Sequence, residues 1–180
     1  MDQTKLSTRQ YLSSGDVTPD LRRCLTACWA EVTNAGGAAG FPFPPVDLEE
    51  VAPSLDLIVD QLAPGTSRLV TAHVERHLVG WLHLRREPSA LTGHWGSVHH
   101  VQSDPRFRRR GIGAALMNEA RRIAREEMGL RQLHLAARGG AGLEHFYEHL
   151  GWKEVGRWPA ALRMAGDDYR DEILMLLDPL

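Results

Sequence analysis

The sequence predicts a mixed α/β domain, and three observations support that class. A capped amphipathic helix lies near the start, a run of strands with tight turns follows, and strands and helices alternate in the second half. The chain has 180 residues, of which 43% are hydrophobic and 24% are charged. That length and balance are typical of one globular domain with its own core. We therefore expect a single domain over residues 1–180.

The order of elements follows from capping and periodicity. Thr18-Pro19-Asp20 begins a helix with a capping hydroxyl, a proline and an acid, and Asn34-Ala35-Gly36 ends it. Strands are assigned to apolar runs between turn residues. In chain order we predict an edge strand at 6–12, that helix, a helix at 47–62, strands at 69–74, 78–84 and 97–103, a helix up to 128, a strand at 133–137, a helix at 142–150, and strands at 152–158 and 172–177.

Two of the connecting segments have notable compositions. The loop 36–46 is rich in Gly and Pro, and its Phe41 and Phe43 indicate either a lid over a pocket or simple packing. The acids of 167–172 fall between the last two predicted strands. They could form a rim that favours a cationic amine, or they could belong to a solvated loop.

Composition excludes several classes of function. Lys and Arg number 21 and Asp and Glu number 23, for a net charge of -2, so neither a nucleic acid nor an anionic membrane is an expected partner. The polar N-terminus is no secretory signal, and no apolar run reaches the roughly 18 residues of a membrane span. Cys24 and Cys28 are too few for a disulfide scaffold or a zinc site, and no histidine pair has zinc-hydrolase spacing. We expect a cytoplasmic protein without a metal.

The most informative segment is a glycine-containing turn before the long helix, at 104–117. Gly111 and Gly113 allow close approach of the backbone to a ligand, and the first helical turn leaves N–H groups unpaired. An anion there gains hydrogen bonds and the helix dipole, and three arginines at 108–110 add positive charge. The segment lacks the Lys and hydroxyl of a P-loop and the third glycine of a dinucleotide fingerprint.

The spacing Arg108-x-x-Gly111-x-Gly113 resembles the signature of the GNAT superfamily of acyl-CoA-dependent N-acetyltransferases. Val79-Gly80 resembles that family's third strand, and 146–152 resembles its late F-Y-x-x-x-G-F segment. The resemblance covers about residues 67–178, and the stretch 146–159 looks most similar to tabtoxin-resistance-type small-molecule acetyltransferases. It implies the GNAT fold, with a mixed, mostly antiparallel sheet and helices on both faces.

The resemblance also implies a site for acetyl-CoA. The pyrophosphate would meet backbone N–H groups from Arg109 to Ala114, and the pantetheine arm would pair with the strand near Val101. The cofactor-binding residues it implies are Val101, Ser103, Arg108, Arg109, Arg110, Gly111, Ile112, Gly113 and Ala114.

Acetyl transfer to an amine needs a base for the amine and an acid for the leaving thiolate. Tyr147 occupies the family's tyrosine position and is the expected acid. Many family members carry a Glu at the place of Ser97, and the tabtoxin-resistance type carries an acid at the place of Ala136. Both acids are missing here, so His99 is the expected base, with a pKa near 6–7 if unperturbed. His100 or a water relay are the alternatives. Strand alternation predicts one face with Ser97, His99, Val101 and Ser103, and the other with Val98, His100 and Gln102.

These features predict an N-acetyltransferase that moves an acetyl group from acetyl-CoA directly to a primary amine of a small molecule. A non-catalytic acyl-CoA sensor is one alternative. A nucleic-acid-binding module using the arginines of 106–110 is another, although the net charge opposes it. The identity of the acceptor is open, and so is assembly into a homodimer.

Overall fold

A computed structural model describes residues 5–37, 40–41 and 43–180. The predicted order of strands and helices is confirmed. The elements are β1 (Leu6–Tyr11), α1 (Pro19–Asn34), α2 (Leu48–Asp60), β2 (Ser67–Val74), β3 (His77–Arg86), β4 (Trp95–Ser103), α3 (Ile112–Arg122), β5 (Gln132–Arg138), α4 (Leu143–His149), β6 (Lys153–Ala165) and β7 (Asp168–Leu177).

The seven strands form one sheet in the order β1-β2-β3-β4-β5-β7-β6. Among the strands of the described residues, β4 and β5 form the one parallel pair, so the predicted mixed, mostly antiparallel sheet is confirmed. One core cluster packs α3 and α4 on one face through residues such as Leu116 and Tyr147. The other packs α1 and α2 on the opposite face around Trp29 and Trp81. Helices therefore cover both faces.

The predicted start of α1 at the Thr18 cap and its end at Asn34 are confirmed. The Thr18 hydroxyl accepts a hydrogen bond of 3.2 Å from the Leu21 N–H at the start of α1. At the start of α2 the Asp47 carboxylate accepts a hydrogen bond from the Glu50 N–H, and the Glu50 carboxylate accepts one from the Asp47 N–H, both at 2.9 Å. The long third helix reaches Met128 through a wider π-helical turn at Ile123–Glu127.

The final hairpin is longer than predicted. β7 begins at Asp168 and not near 172, and β6 continues to Ala165, so most of the acids at 167–172 lie in a strand. The outer part of β6 is largely exposed, which removes the alternation of apolar and polar residues by which a half-buried strand is recognised. Pairing with its neighbour, for example Leu162 with Arg170, forms this part of the hairpin.

A cleft arises where β4 and β5 separate. The two strands pair over three positions, from Trp95 with Gln132 to Ser97 with His134, and no further pairing joins them among the described residues. Beyond Ser97 the facing edges of both strands leave backbone N–H and C=O groups open to a ligand. The cleft lies at the carboxyl ends of this parallel pair.

Candidate active site

A cavity of about 600 Å³ occupies the cleft between β4 and β5. The start of α3 and the side chains of α4 close it on one side, and the loop after α1 approaches it at Gly37 and Gly40. It is lined by residues of both the predicted cofactor turn and the predicted catalytic pair, so these groups share one space.

The start of α3 has the geometry of an anion cradle. Gly111 is the N-cap residue with a φ of 76° and no capping side chain, and Arg109 has a φ of 62°. Among the described residues, no hydrogen-bond partner is found for the N–H groups of Ile112, Gly113 and Ala114. These donors face the cavity end that both glycines line.

The two glycines of the turn have different roles. A Cβ at Gly111 would meet nothing within 4 Å, so glycine is favoured there by its left-handed backbone. A Cβ at Gly113 would lie 3.0 Å from the ring of Phe146. Gly113 therefore allows α3 and α4 to pack closely, in addition to lining the cavity.

The arginines before α3 divide into three environments. Arg108 and Arg109 line the cavity. Arg110 is not among the lining residues, and its guanidinium lies 5.3 Å from the centre of the Phe107 ring. Arg106 is bound to Asp104 at 2.7 Å and approaches Glu31 at 3.3 Å. The structure thus brings two of the three predicted phosphate-binding arginines to the cavity.

A bulge in β4 corrects the predicted faces of that strand. Trp81 pairs with Gln102 and His83 with His99, so two residues of β4 stand opposite Leu82 alone. His100 takes a φ of 54° at this point. As a result the side chains of His99 and His100 both lie on the α1 side, although alternation predicted opposite faces.

Val101 and Ser103 lie on the other face from His99, again because of the bulge. Val101 packs against the core of the α3 side, and Ser103 pairs with Gly80, whose missing Cβ would point at Ile112. Both residues still line the cavity, because they stand on the strand edge that β5 leaves open. Their predicted place beside a cofactor is therefore compatible with the structure.

His99 begins a hydrogen-bonded chain to an acid. Its Nε2 lies 2.8 Å from the Ser97 hydroxyl, which donates to Glu87 Oε1 at 3.1 Å. A carboxylate can only accept, so the hydroxyl proton points to Glu87 and His99 Nε2–H donates to Ser97. The free lone pair of the ring is then on Nδ1. Glu87 supplies the carboxylate that the sequence lacks at Ser97 itself.

Burial changes the acid–base properties of the two histidines. It lowers the pKa of His99 to about 4, with the positive charge of Arg85 adding to the effect, so the value near 6–7 given for an unperturbed ring does not apply here. Burial also lowers the pKa of His100 to about 4. The His100 ring packs 4.7 Å from Trp29 and 6.0 Å from Trp81, measured between ring centres. Both rings are neutral at pH 7.

Tyr147 lies in α4 and is 7% exposed. Its ring packs against Phe146 at 5.0 Å and Trp152 at 6.0 Å, and it lines the cavity. Burial raises the pKa of its phenol to about 12, which keeps the proton on at neutral pH. This one side chain therefore packs against neighbouring rings and also lines the cavity.

A second cavity of about 340 Å³ adjoins the first, and we call it the acceptor compartment. Phe41, Arg138, Arg163, Met164 and Glu172 line it, with Arg138 and Glu172 shared with the main cavity. Phe41 also packs on Trp29, which fits the predicted cover over a pocket, whereas Phe43 is 52% exposed. Residues 38, 39 and 42 of that predicted lid lie outside the described residues.

Sequence reasoning did not single out Glu87, His134 or Arg138. Glu172, which lines both cavities, belongs to the acidic segment 167–172, whose sequence predicts either a rim for a cationic amine or a solvated loop. His134 Nε2 lies 3.8 Å from Glu87 Oε1, across the short β4–β5 pairing. One signal was present: alternation from Ala136 places His134 and Arg138 on the face already expected to bear an acid. The partner strands of these residues could not be read from local sequence.

The described part of the chain holds neither a metal-binding cluster nor a membrane-spanning helix. Within residues 5–37, 40–41 and 43–180, no group of three or more His, Cys, Asp or Glu side chains is placed to hold a metal ion. No helix in that part of the chain is long and apolar enough to cross a membrane.

The Acetyltransferase (GNAT) family profile matches residues 22–152. Elongator complex protein 3 of Dictyostelium discoideum is 44% identical over 64 residues, a match that spans 34% of this chain and only 11% of that protein. The comparisons do not confirm the closer resemblance to tabtoxin-resistance-type enzymes, which stays a prediction.

Solved structures show the same fold at low identity. A GCN5-related N-acetyltransferase from Kribbella flavida has a TM-score of 0.74 at 20% identity, covering 97% of this chain and 98% of that one. The ribosomal-protein-alanine N-acetyltransferase from Brucella melitensis has a TM-score of 0.73 at 20% identity, covering 96% of this chain and 99% of that one. The ribosomal-protein-S18-alanine N-acetyltransferase from Escherichia coli has a TM-score of 0.70 at 16% identity, covering 97% of this chain and 94% of that one. With the family profile matching most of its length, the chain belongs to the acetyltransferase (GNAT) family, whose members use acetyl-CoA.

Proposed function

We propose that the protein, acting as one domain, transfers the acetyl group of acetyl-CoA directly to a primary amine of a small molecule. The observation that carries the proposal is the single cavity lined by the start of α3, His99 and Tyr147. An anion cradle, a neutral imidazole and a protonated phenol therefore lie along one space, with the acceptor compartment next to it.

The residues present fit acetyl-CoA. The unpartnered N–H groups of Ile112, Gly113 and Ala114 suit a pyrophosphate, with Arg108 and Arg109 beside them. The open edge of β4 at Val101 and Ser103 offers backbone groups to an amide-containing arm. When bound, the cofactor supplies an activated acetyl group and a thiolate leaving group.

The incoming amine must lose a proton. An alkyl amine has a pKa near 10.4, so reaching its neutral form at pH 7 costs roughly 4 kcal/mol. His99 Nδ1 is the acceptor left free by the bond to Ser97, and Glu87 at the end of the chain stabilises the positive charge that develops on the ring. With a pKa of about 4, His99 is a weak base, so burial of the amine must supply part of that energy.

The departing thiolate must gain a proton or a hydrogen bond. Tyr147 is the one tyrosine among the residues lining the main cavity within the described chain. A phenol with a pKa of about 12 holds its proton until a stronger base develops beside it. That property suits a general acid for a thiolate formed only late in the reaction.

A free-thiol assay tests the proposal. Acetyl-CoA would be mixed with the protein and a panel of alkyl amines, amino acids and peptides, while acetyl-CoA binding is measured by the rise in Tm. We expect thiol release that depends on the amine. Binding without release for any amine would favour the acyl-CoA sensor, and sedimentation of the same sample would show whether the protein is a homodimer.

A further inference from the structure

The acceptor compartment contains two opposite charges that do not neutralise each other. Arg138 of β5 stands directly opposite Glu172 of β7 in the sheet register, on the face that also bears His134. Both side chains line the acceptor compartment and the main cavity. Nevertheless, no ion pair or hydrogen bond joins Glu172 to any described side chain, and none of the described carboxylates lies within 4.0 Å of Arg138.

The guanidinium of Arg138 is only partly satisfied. One nitrogen donates to the Gly36 carbonyl at 2.7 Å, and another faces the Met164 sulfur at 3.8 Å. The side chain is half-buried. Burial and the nearby Arg170 lower its pKa, and the Asp168 carboxylate offsets only part of that effect. A cation held in this way gains from an anion brought into the compartment.

A second arginine, Arg163, adds positive charge to the acceptor compartment beside Arg138. Arg163 lines it too, with its guanidinium 5.9 Å from the Phe43 ring centre and a bond of 2.9 Å to the Gly166 carbonyl. Arg170, by contrast, is paired with Asp168 at 2.7 Å and is not among the lining residues. The compartment therefore presents two arginines without a carboxylate partner among the described residues, and one carboxylate, Glu172.

We propose that the acceptor is a primary amine that carries its own anionic oxyacid group, a carboxylate or a phosphonate. Arg138 binds the anionic group and Glu172 binds the ammonium end at the boundary with the main cavity. The two residues stand directly opposite each other in the sheet register, and both line the acceptor compartment, so one small zwitterion can contact both. The inference rests on the proposed function, and it names the class of acceptor for the same site.

The test compares matched acceptors in the free-thiol assay. The probes are a set of L-amino acids, the primary amides of the same amino acids, and 2-aminoethylphosphonate. We expect kcat/KM to be about 10–100-fold higher for the acids than for their amides, the range for one charge-assisted hydrogen-bonded pair. Arg138→Gln should abolish that preference by raising KM for the acids much more than for the amides, and Arg138→Lys should restore part of it.

Arg170→Gln is the matched control, because that neighbouring arginine already has its carboxylate partner. It should leave the preference intact. A preference for 2-aminoethylphosphonate over the amino acids identifies the phosphonate form of the anion. Equal kcat/KM for acids and amides, or an unchanged preference in a folded Arg138→Gln protein, would overturn the inference but not the proposed function. If no amine in the panel supports thiol release, the proposed function itself is contradicted.

Discussion

Two arginines of this sheet, the buried Arg68 and the half-buried Arg138, are held in opposite ways. Arg68, on β2, donates to the Pro64 carbonyl at 3.0 Å and to Gln10 at 2.8 Å, and it forms an ion pair with Glu127. Gln10 also donates to Glu127 at 2.9 Å. Hydrogen bonds from Gln10 and Arg68 lower the pKa of Glu127 to about 2, so this cluster is closed within the protein. Arg138 has no such partner among the described residues.

The difference separates groups that stabilise the fold from groups available to a ligand. A buried cation that is ion-paired and hydrogen-bonded within the protein has its charge compensated in the native state. A cation that faces a cavity without an anionic partner is instead stabilised when an anionic ligand binds beside it. The same contrast holds between the closed Arg68 cluster and the open N–H groups of α3, and the predictions below follow from it.

The largest expected effect is at Tyr147. Tyr147→Phe keeps the packing against Phe146 and Trp152 but removes the phenol proton, so turnover should fall about 10²–10⁴-fold with acetyl-CoA affinity nearly unchanged. Single-turnover thiol release measures it. Tyr169→Phe, an exposed tyrosine outside the cavity, is the control and should remain active. Turnover within a few-fold of wild type would make Tyr147 a packing residue alone.

A smaller loss is expected at His99. Because its pKa is about 4, the ring is neutral throughout the usual assay range, and the wild-type rate should show no limb near pH 6–7. His99→Gln should lower kcat by about 10–100-fold, less than a strong base would give. The pH profile of kcat checks both points, with the exposed His145→Gln as control. A limb near pH 6–7 that disappears in His99→Gln would contradict the burial of this base.

The cradle at α3 can be tested with two glycines. Gly111 and Gly129 have φ values of 76° and 62°, and a Cβ at either would meet nothing within 4 Å. Alanine should therefore cost about 1–2 kcal/mol of strain at both positions. Only Gly111→Ala should weaken acetyl-CoA binding, by about tenfold, as measured by the ligand-induced rise in Tm.

Acetyl-pantetheine supplies the second arm of that experiment. It lacks the pyrophosphate, so it should raise the Tm less than acetyl-CoA does and should not distinguish Gly111→Ala from Gly129→Ala. Equal shifts for both ligands with the wild-type protein would refute the assignment of the cradle to phosphate.

The smallest effect concerns the pH dependence of stability. His83 is 2% exposed, its Nε2 lies 2.8 Å from the Ser67 hydroxyl, and burial lowers its pKa to about 3. Since the unfolded ring takes up a proton near 6.5, its contribution is complete above that pH and is lost as the pH falls towards 3. His83→Gln should reduce the slope of the free energy of unfolding against pH by about 1 kcal/mol per pH unit between about pH 6 and 4. Urea unfolding measures this, and parallel slopes would contradict it.

Local signals predicted much of this molecule from its sequence. The Thr18 cap and Gly111 before α3 act on residues a few positions away, so the starts of both helices can be predicted from local sequence. The fold class followed from the order of elements and from the family resemblance.

The remaining features depend on register between distant strands. The bulge at His100 arises from pairing with β3, and the meeting of Arg138 with Glu172 requires β7 to insert beside β5. Glu87 reaches Ser97 across the β3–β4 connection. Each depends on which strands become neighbours, which periodicity along one segment does not contain.

One measurement tests the contrast between closed and open arginines most directly: urea unfolding and kcat/KM for an amino acid, determined in parallel for Arg68→Gln and Arg138→Gln. Arg68→Gln leaves Glu127 without its buried partner, so it should lower the free energy of unfolding by about 1–3 kcal/mol and keep kcat/KM of the folded protein. Arg138→Gln should change stability little and lower kcat/KM about 10–100-fold. The reverse pattern, or an equal loss of stability in both variants, would contradict the account.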